Sequence, residues 1–431
     1  MSNGPTQETA LTERGIAGLK GGDPTPDRSP WLHVVVPFAL AYALSQFVRS
    51  ANAVIAPELT VEFELSASDL GFLTSMYFVA FAAAQLPVGL LLDRYGSRAV
   101  ETVFLLMLGA GCALFALSSN VASLGGSRAM IGLGGSACLM AAFKAIVERF
   151  ESRDRAPLNS IVLAIGGIGS IAATVPLAAL LSLVGWRGAL LIVAAASIGG
   201  AAALFMMTPD SAPGRAGTTS LRDAFRGTLA VLRSRRFWRF APQMMIGSGG
   251  FMAIQSLWAV PWMMQVNLMP RSEAAGVLLA MGVAVIVGHL SNASVAAWLA
   301  RRHLSPFRLL AWGGAATLGC ELLILADMGP RLLLWSMYGL AFSTLSMSYP
   351  ILTSEFPAEL AGRLNTALNL AVFAGGFAIQ WSFGLVVDAV ARLGYPDDVG
   401  LRVAYTAWVT LQAASFVWLL VPYRRSGCLA R

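Results

Sequence analysis

Apolar runs of about 20 residues recur along nearly the whole chain, separated by short polar breaks. An α-helix needs a run of about that length to cross the hydrocarbon of a bilayer. The pattern predicts helices at roughly 32–56, 69–92, 99–118, 121–148, 156–181 and 186–207. A second set follows at roughly 237–266, 272–299, 306–327, 330–354, 360–391 and 401–422. Residues 1–30 carry neither an apolar core nor a small-residue cleavage site, so they read as a disordered tail and not as a signal peptide. Between the two sets lies 208–236, with "PDSAPGRAG" and the start of the basic run "LRSRRFWR". It predicts a linker joining a bundle at 31–207 to a bundle at 237–422, with a short tail at 423–431.

Composition agrees with a membrane interior. Hydrophobic residues make up 56% of the 431 and charged residues 12%, about half the usual charged share of a soluble chain. The placement of Lys and Arg predicts orientation. With the N-terminus inside, the inner segments hold 22 of the 30 basic residues and the outer loops hold five. Both termini are therefore expected in the cytoplasm. The net charge of +7 reads as a topology signal, and no nucleic-acid partner is expected. Only two of the basic residues are lysines, a usage that points to a high-GC bacterium and hence an inner membrane. The four cysteines show neither disulfide pairing nor metal-ligand spacing, and no metal or cofactor is expected.

The halves share a short repeat. "FESRDRAPLN" at 150–159 and "FPAELAGRLN" at 356–365 align at Phe, Leu and Asn, 206 positions apart. Two related bundles in parallel suggest a transporter with a site between them.

"GLLLDRYGSR", residues 89–98, follows the second helix. Gly89 permits close helix approach, Gly96 a tight turn, and Arg94 and Arg98 mark the cytoplasmic side. Asp93 is an acid at a helix C-terminus, where it opposes its own helix dipole. A second helix N-terminus or a cation beside it would explain it better. The stretch resembles the signature loop of the major facilitator superfamily, departing only at Ser97. "GWR" at 185–187 and "LGGSRAMIGLGGSA" at 124–137 resemble the family's sixth and fourth helices. The resemblance spans 31–422. It implies an all-α membrane fold of twelve transmembrane helices in two pseudo-symmetric six-helix bundles, and a secondary transporter working by alternating access. It also implies that Gly89, Asp93, Arg94, Gly96, Arg98 and Glu148 form a cytoplasmic gate, with Asp93 facing the start of the eleventh helix and Arg94 facing Glu148. The plainer reading is a positive-inside loop with a turn. "WLARRHLSP", the corresponding loop of the second half, lacks the Asp. The fifth helix, with "GGIGSIAATVPLAAL", lacks the pattern of the family's drug antiporters.

Arg49 sits in an apolar run. A lone cation at mid-membrane costs about 2.5–3.5 kcal/mol on insertion scales. Tyr42, Ser45, Gln46, Arg49 and Asn52 form one polar stripe at helical spacing. "VRSAN" resembles the first helix of the family's anion:cation symporters, which implies contact with an anionic substrate. A structural pairing or capping role stands beside that reading. The resemblance gives Arg128 two readings as well, contact with substrate or proton coupling, or a bond to a backbone carbonyl of the first helix. Lys144 sits one turn before Glu148, which suggests an intrahelical pair. The offset of 206 puts Gln255 opposite Arg49. Gln255 forms a stripe with Trp258, Trp262 and Gln265, and Pro261 is expected to kink that helix. The stripe's aromatics read as lipid-facing belt or core, with Trp258 also a cavity candidate beside Gln255. His289, Asn292 and Tyr349 are further candidates, as are Asn369 and Gln380.

The stripe suits a small organic anion with an apolar part. Protons are a candidate coupling ion, with no carrier chosen among His289, Asp388 and the substrate. The alternatives are an exporter of neutral or cationic compounds, a non-transporting sensor, and a membrane enzyme. The last would need convergent catalytic groups, and the three histidines are scattered. One chain holds a full helix set, so a monomer is expected.

Overall fold

A computed structural model describes residues 31–209, 221–357 and 360–421. The expected tails at 1–30 and 423–431 and the linker's 210–220 lie outside the described residues, as does Cys428. Among the described residues there are helices and no strands. Nine helices among the described residues are long and apolar enough to cross a membrane.

Two of these nine bend back at a glycine. The 50-residue helix Ala67–Ala116 turns at Gly96 (φ 77°, ψ 166°), and Val175–Met207 turns at Gly185 (φ 68°, ψ 174°). Both turns have positive φ, a conformation open to glycine at little cost. Residues 235–266 and 331–353 are equally long but broken into short pieces. Divided at its turns, the chain runs in twelve rods. They are α1 (Trp31–Phe63), α2 (67–95), α3 (97–116), α4 (Val121–Arg149), α5 (152–184), α6 (186–207), α7 (235–266), α8 (Arg271–Arg301), α9 (Phe307–Leu325), α10 (331–353), α11 (Ala361–Arg392) and α12 (Asp397–Leu420). A short helix, Leu221–Leu232, lies in the linker and packs against α11 and the α2–α3 pair.

Starts are set by local chemistry. Ser66 with Asp69 and Asn120 with Ser123 form reciprocal capping boxes before α2 and α4. Breaks lie inside the rods. α4 is interrupted at Ser136–Ala137, and α5 at Ala173–Thr174. α7 contains three π-helical stretches, Met244–Ser248, Ile254–Trp258 and Trp262–Val266. Pro242 and Pro261 in α7 remove backbone donors, which explains part of this irregularity. α10 tightens to a 3-10 stretch at Ser343–Met347. Asn292 of α8 supports that stretch, donating Nδ2 to Ser343 O at 2.9 Å.

Leu40, Val103, Leu114, Ile192, Met206, Leu290, Leu322 and Val417 are exposed around the outside. Such an apolar girdle suits lipid and not water. The face holding Trp31, Gly96 and Leu420 is called the terminal face below. The opposite, distal face holds Phe63, Ala67 and Arg392.

Candidate functional site

The polar stripe of α1 lies beside the break in α4. Ser45 Oγ donates to Gly135 O at 3.1 Å. A side chain at Gly135 would meet Ser45 Oγ at 2.7 Å and the Tyr77 hydroxyl at 3.2 Å, so glycine is required for this approach. Tyr42 packs its ring on Gly166 of α5. Gln46 and Arg49 are half-buried. Arg49 has no ion pair or hydrogen bond among the described residues, and its charge lies within electrostatic reach of the Tyr42 and Tyr77 phenols. Asn52 is buried, with Nδ2 lacking a partner.

Arg128 has a different environment. It is 5% exposed, donates Nη1 to Val48 O at 3.2 Å and lies 5.2 Å over the Tyr77 ring. Of its two readings, this geometry matches the bond to the backbone of α1. Gln255 is half-buried on Ile254–Trp258, the stretch of α7 that packs against α1. His289 is exposed, one turn beyond Ile286, whose side chain reaches Gly167 of α5. Tyr349 is tied to Asn369 at 2.5 Å within the second half.

Trp258 matches the core reading of its aromatic stripe. Also a candidate for the cavity wall, it is 3% exposed, stacks on Phe383 at 4.8 Å and donates Nε1 to Gln380 O at 3.1 Å. Gly71 of α2 abuts it. It therefore forms part of a closed seam between the halves.

That seam is the contact of α2 with α11. The Asp388 carboxylate accepts Ala67 N–H at 3.0 Å and Ser68 N–H at 2.9 Å, so it caps the N-terminus of α2 from the other half. Below it Gln380 Nε2 donates to Thr74 Oγ1, and Phe81 meets Phe373 at 4.2 Å. Beside the seam Arg271 holds Glu58 through both guanidinium nitrogens, at 2.5 and 2.7 Å, and also reaches Val54 O. These contacts lie toward the distal face. The register is regular and antiparallel: 67 meets 388, 74 meets 380 and 81 meets 373. Continued, it would set Gly89 opposite Asn365 and Asp93 opposite Ala361, the first residue of α11.

The two helices do not continue so. Nothing lies within 4 Å of a Cβ added at Gly89 or at Gly362. Asp93 is 64% exposed and pairs with Lys144 of α4 at 2.6 Å. The expected contact of Asp93 with the start of α11 is therefore absent from this geometry. So is the expected Arg94–Glu148 pair. Glu148 accepts from Ser97 Oγ at 3.4 Å and lies 3.8 Å from Lys144, while Arg94 lies over Tyr95 at 5.3 Å. Lys144 reaches both acids because α4 and the α2 end adjoin at this face. Gly96 makes the turn and Arg98 lies over Phe205 at 4.3 Å. The terminal part of α4, Cys138–Arg149, packs on its own half, and Ser348–Thr353 of α10 packs on the other.

Sequence reasoning missed Glu58, Thr74 and Glu101 and gave Asp388 no gating role. Glu58 and Arg271 are 213 positions apart, with no motif around either.

The sequence profile of the Major Facilitator Superfamily matches residues 38–379. Human monocarboxylate transporter 11 is 29% identical over 327 residues, covering 73% of this chain and 64% of that protein. A probable L-galactonate transporter of Escherichia coli is 25% identical over 291 residues, covering 62% of each. The chain thus spans less than two thirds of the length of these curated relatives. Among solved structures, a bacterial homolog of the human lysosomal transporter Spinster, in an inward-facing and unoccupied conformation, aligns with a TM-score of 0.75 at 18% identity. That alignment covers 91% of this chain and 97% of the other. The nucleoside transporter NupG aligns with a TM-score of 0.72 at 13% identity, covering 89% and 100%.

Proposed function

As this chain belongs to the major facilitator superfamily, and is thus a multi-pass membrane transporter of small solutes and not an enzyme, we propose that its substrate is a small organic anion such as a carboxylate. It is carried across a bacterial inner membrane by alternating access, and the chain works as a monomer. The observation that carries the reading is Arg49: a cation within a membrane helix, half-buried and without a partner among the described residues. Such a charge is costly unless a cavity or a ligand meets it. A guanidinium binds a carboxylate through two parallel hydrogen bonds, which favours that ligand class. Several relatives carry names that specify acids, among them a probable sulfoacetate transporter and a hexuronate transporter.

The excess of Lys and Arg places the terminal face in the cytoplasm. The present geometry then reads as inward-facing: the distal seam is closed, and near the terminal face a Cβ at Gly89 or Gly362 meets nothing within 4 Å. Gln46, Tyr42, Asn52 and Gln255 are the neutral partners for the remainder of the ligand, and His289 and Tyr349 are the candidates from the second half. In the opposite state Asp388 and Arg271 release their partners. The α2–α11 register then extends to the terminal face, and Asp93 leaves Lys144 to cap α11 at Ala361. Gly89, Gly96 and the basic pair Arg94 and Arg98 shape that closure.

Thermal unfolding of the purified protein tests the anion reading. Lactate, gluconate, glucuronate, choline and glucose would each be added to the wild type and to Arg49→Ala. A ligand at about 100 times its Kd raises stability by about 2.7 kcal/mol. The expected result is stabilisation by one or more of the anions alone, lost in Arg49→Ala. Stabilisation by choline or glucose, or an unchanged response of the variant, contradicts it.

A further inference from the structure

Glu101 of α3 is 0% exposed, and apart from the weakly donating Cys138 thiol neither carboxylate oxygen has a hydrogen-bond partner. An ionised carboxylate in that position would go uncompensated, at a cost of several kcal/mol. A bound proton removes the charge. The Cys138 thiol, which follows the break in α4, lies against Glu101 on one side and against Ser45 on the other. Ser45 is one turn from Arg49 on the same face of α1. A buried acid is thus linked through two small groups to the unpartnered arginine.

We propose that Glu101 is the proton-binding site of this transporter and that its protonation is coupled to the charge at Arg49. This rests on the anion reading for its purpose, though not for its test. Loading adds one proton to a carboxylate oxygen. Unloading returns it to water in the cleft, and only O–H bonds change. The coupling has a fixed sign. On this proposal a cation at Arg49 favours the carboxylate form. A substrate anion on Arg49 cancels that influence, so anion and proton bind Glu101's side of the protein together, as symport requires.

The surroundings hold few other charges. Cys138 is the titratable group facing Glu101 from α4. Tyr42 of α1 lies within electrostatic reach of Cys138. The stretch of α6 from Ala189 to Met207 contains none. Arg98, one turn back on α3, lies over Phe205, and Lys144 is held by Asp93 and Glu148. A second buried acid, Glu321 of α9, already accepts from Gln412 Nε2 at 2.9 Å and lies in the other half. It serves as the control.

Infrared difference spectroscopy on the solute-free protein in lipid nanodiscs reads the carboxylic C=O stretch as pH is varied. The expected result is a titrating band that disappears in Glu101→Gln, shifts in frequency in Glu101→Asp and persists in Glu321→Gln. Replacing Arg49 by Gln should raise its midpoint by about one pH unit, a tenfold gain in proton affinity. The proposal is overturned if folded Glu101→Gln and Glu101→Asp retain the wild-type band, or if Arg49→Gln leaves the midpoint in place. Because no solute is added, neither outcome depends on the substrate being an anion.

Discussion

The two ends of the α2–α11 pair are alike in chemistry and opposite in contact. At the distal end an acid near the C-terminus of α11, Asp388, caps the first residues of α2. At the terminal end an acid near the C-terminus of α2, Asp93, has the first residues of α11 in register but pairs with Lys144 instead. Each helix thus carries an acid suited to the other's N-terminus. Both acids sit where their own helix dipole is unfavourable, which makes a foreign N-terminus the better partner. One pair of helices cannot close at both faces around a cleft, so in the proposed cycle the two caps alternate.

Three substitutions would sharpen this contrast. The largest effect is expected at Gly89. A Cβ there meets nothing within 4 Å in the present state, so a leucine is expected to change the unfolding midpoint little. In the terminal-closed state it would lie against Asn365 of α11, and overpacking of about 1–3 kcal/mol or more would exclude that state. Transport in proteoliposomes should fall at least tenfold, and unimpaired transport would show that the register does not extend. Asp388→Asn comes next. Asparagine keeps one acceptor but loses the charge, worth about 1 kcal/mol at a helix N-terminus. The balance should move about fivefold toward a distal-open form, seen as faster labelling of a cysteine placed at Thr74 by a membrane-impermeant thiol reagent. Asp93→Asn is the smallest. It removes the charge that would cap α11 in the terminal-closed state, worth about 1 kcal/mol. This is partly offset by the loss of a largely exposed ion pair worth less than about 1 kcal/mol in the present state, so it should shift the balance the other way or leave it in place. Labelling at Thr74 should slow or stay the same. Acceleration by both variants would mean that the acids merely stabilise the fold.

The rods and the turn at Gly96 were legible because bilayer thickness and glycine's backbone freedom act locally. Arg49 was legible for a related reason, since a cation in an apolar run is costly wherever the chain folds. The seam was not. Asp388 reads as an ordinary helix-end acid until Ala67 is placed beside it. Glu58 and Arg271 carry no local sign of their pairing. Trp258 was ambiguous because aromatic residues at helical spacing look the same in a cavity wall and in a core. Arg94 was assigned to Glu148 by family resemblance, whereas here Lys144 and Ser97 lie closer to that acid. Glu101 escaped notice because an acid five residues past a polar turn is expected to reach water, and the packing of α4 over it is a tertiary fact.

The most direct test of the alternating caps is a pair of pulsed-EPR distances, one between spin labels at the distal ends of α2 and α11 and one between labels at their terminal ends, in wild type and in Asp388→Asn. The account predicts that the variant gains a longer distal distance and, in the same population, a shorter terminal one. A distal distance that stays unchanged, or both distances lengthening together, would contradict it.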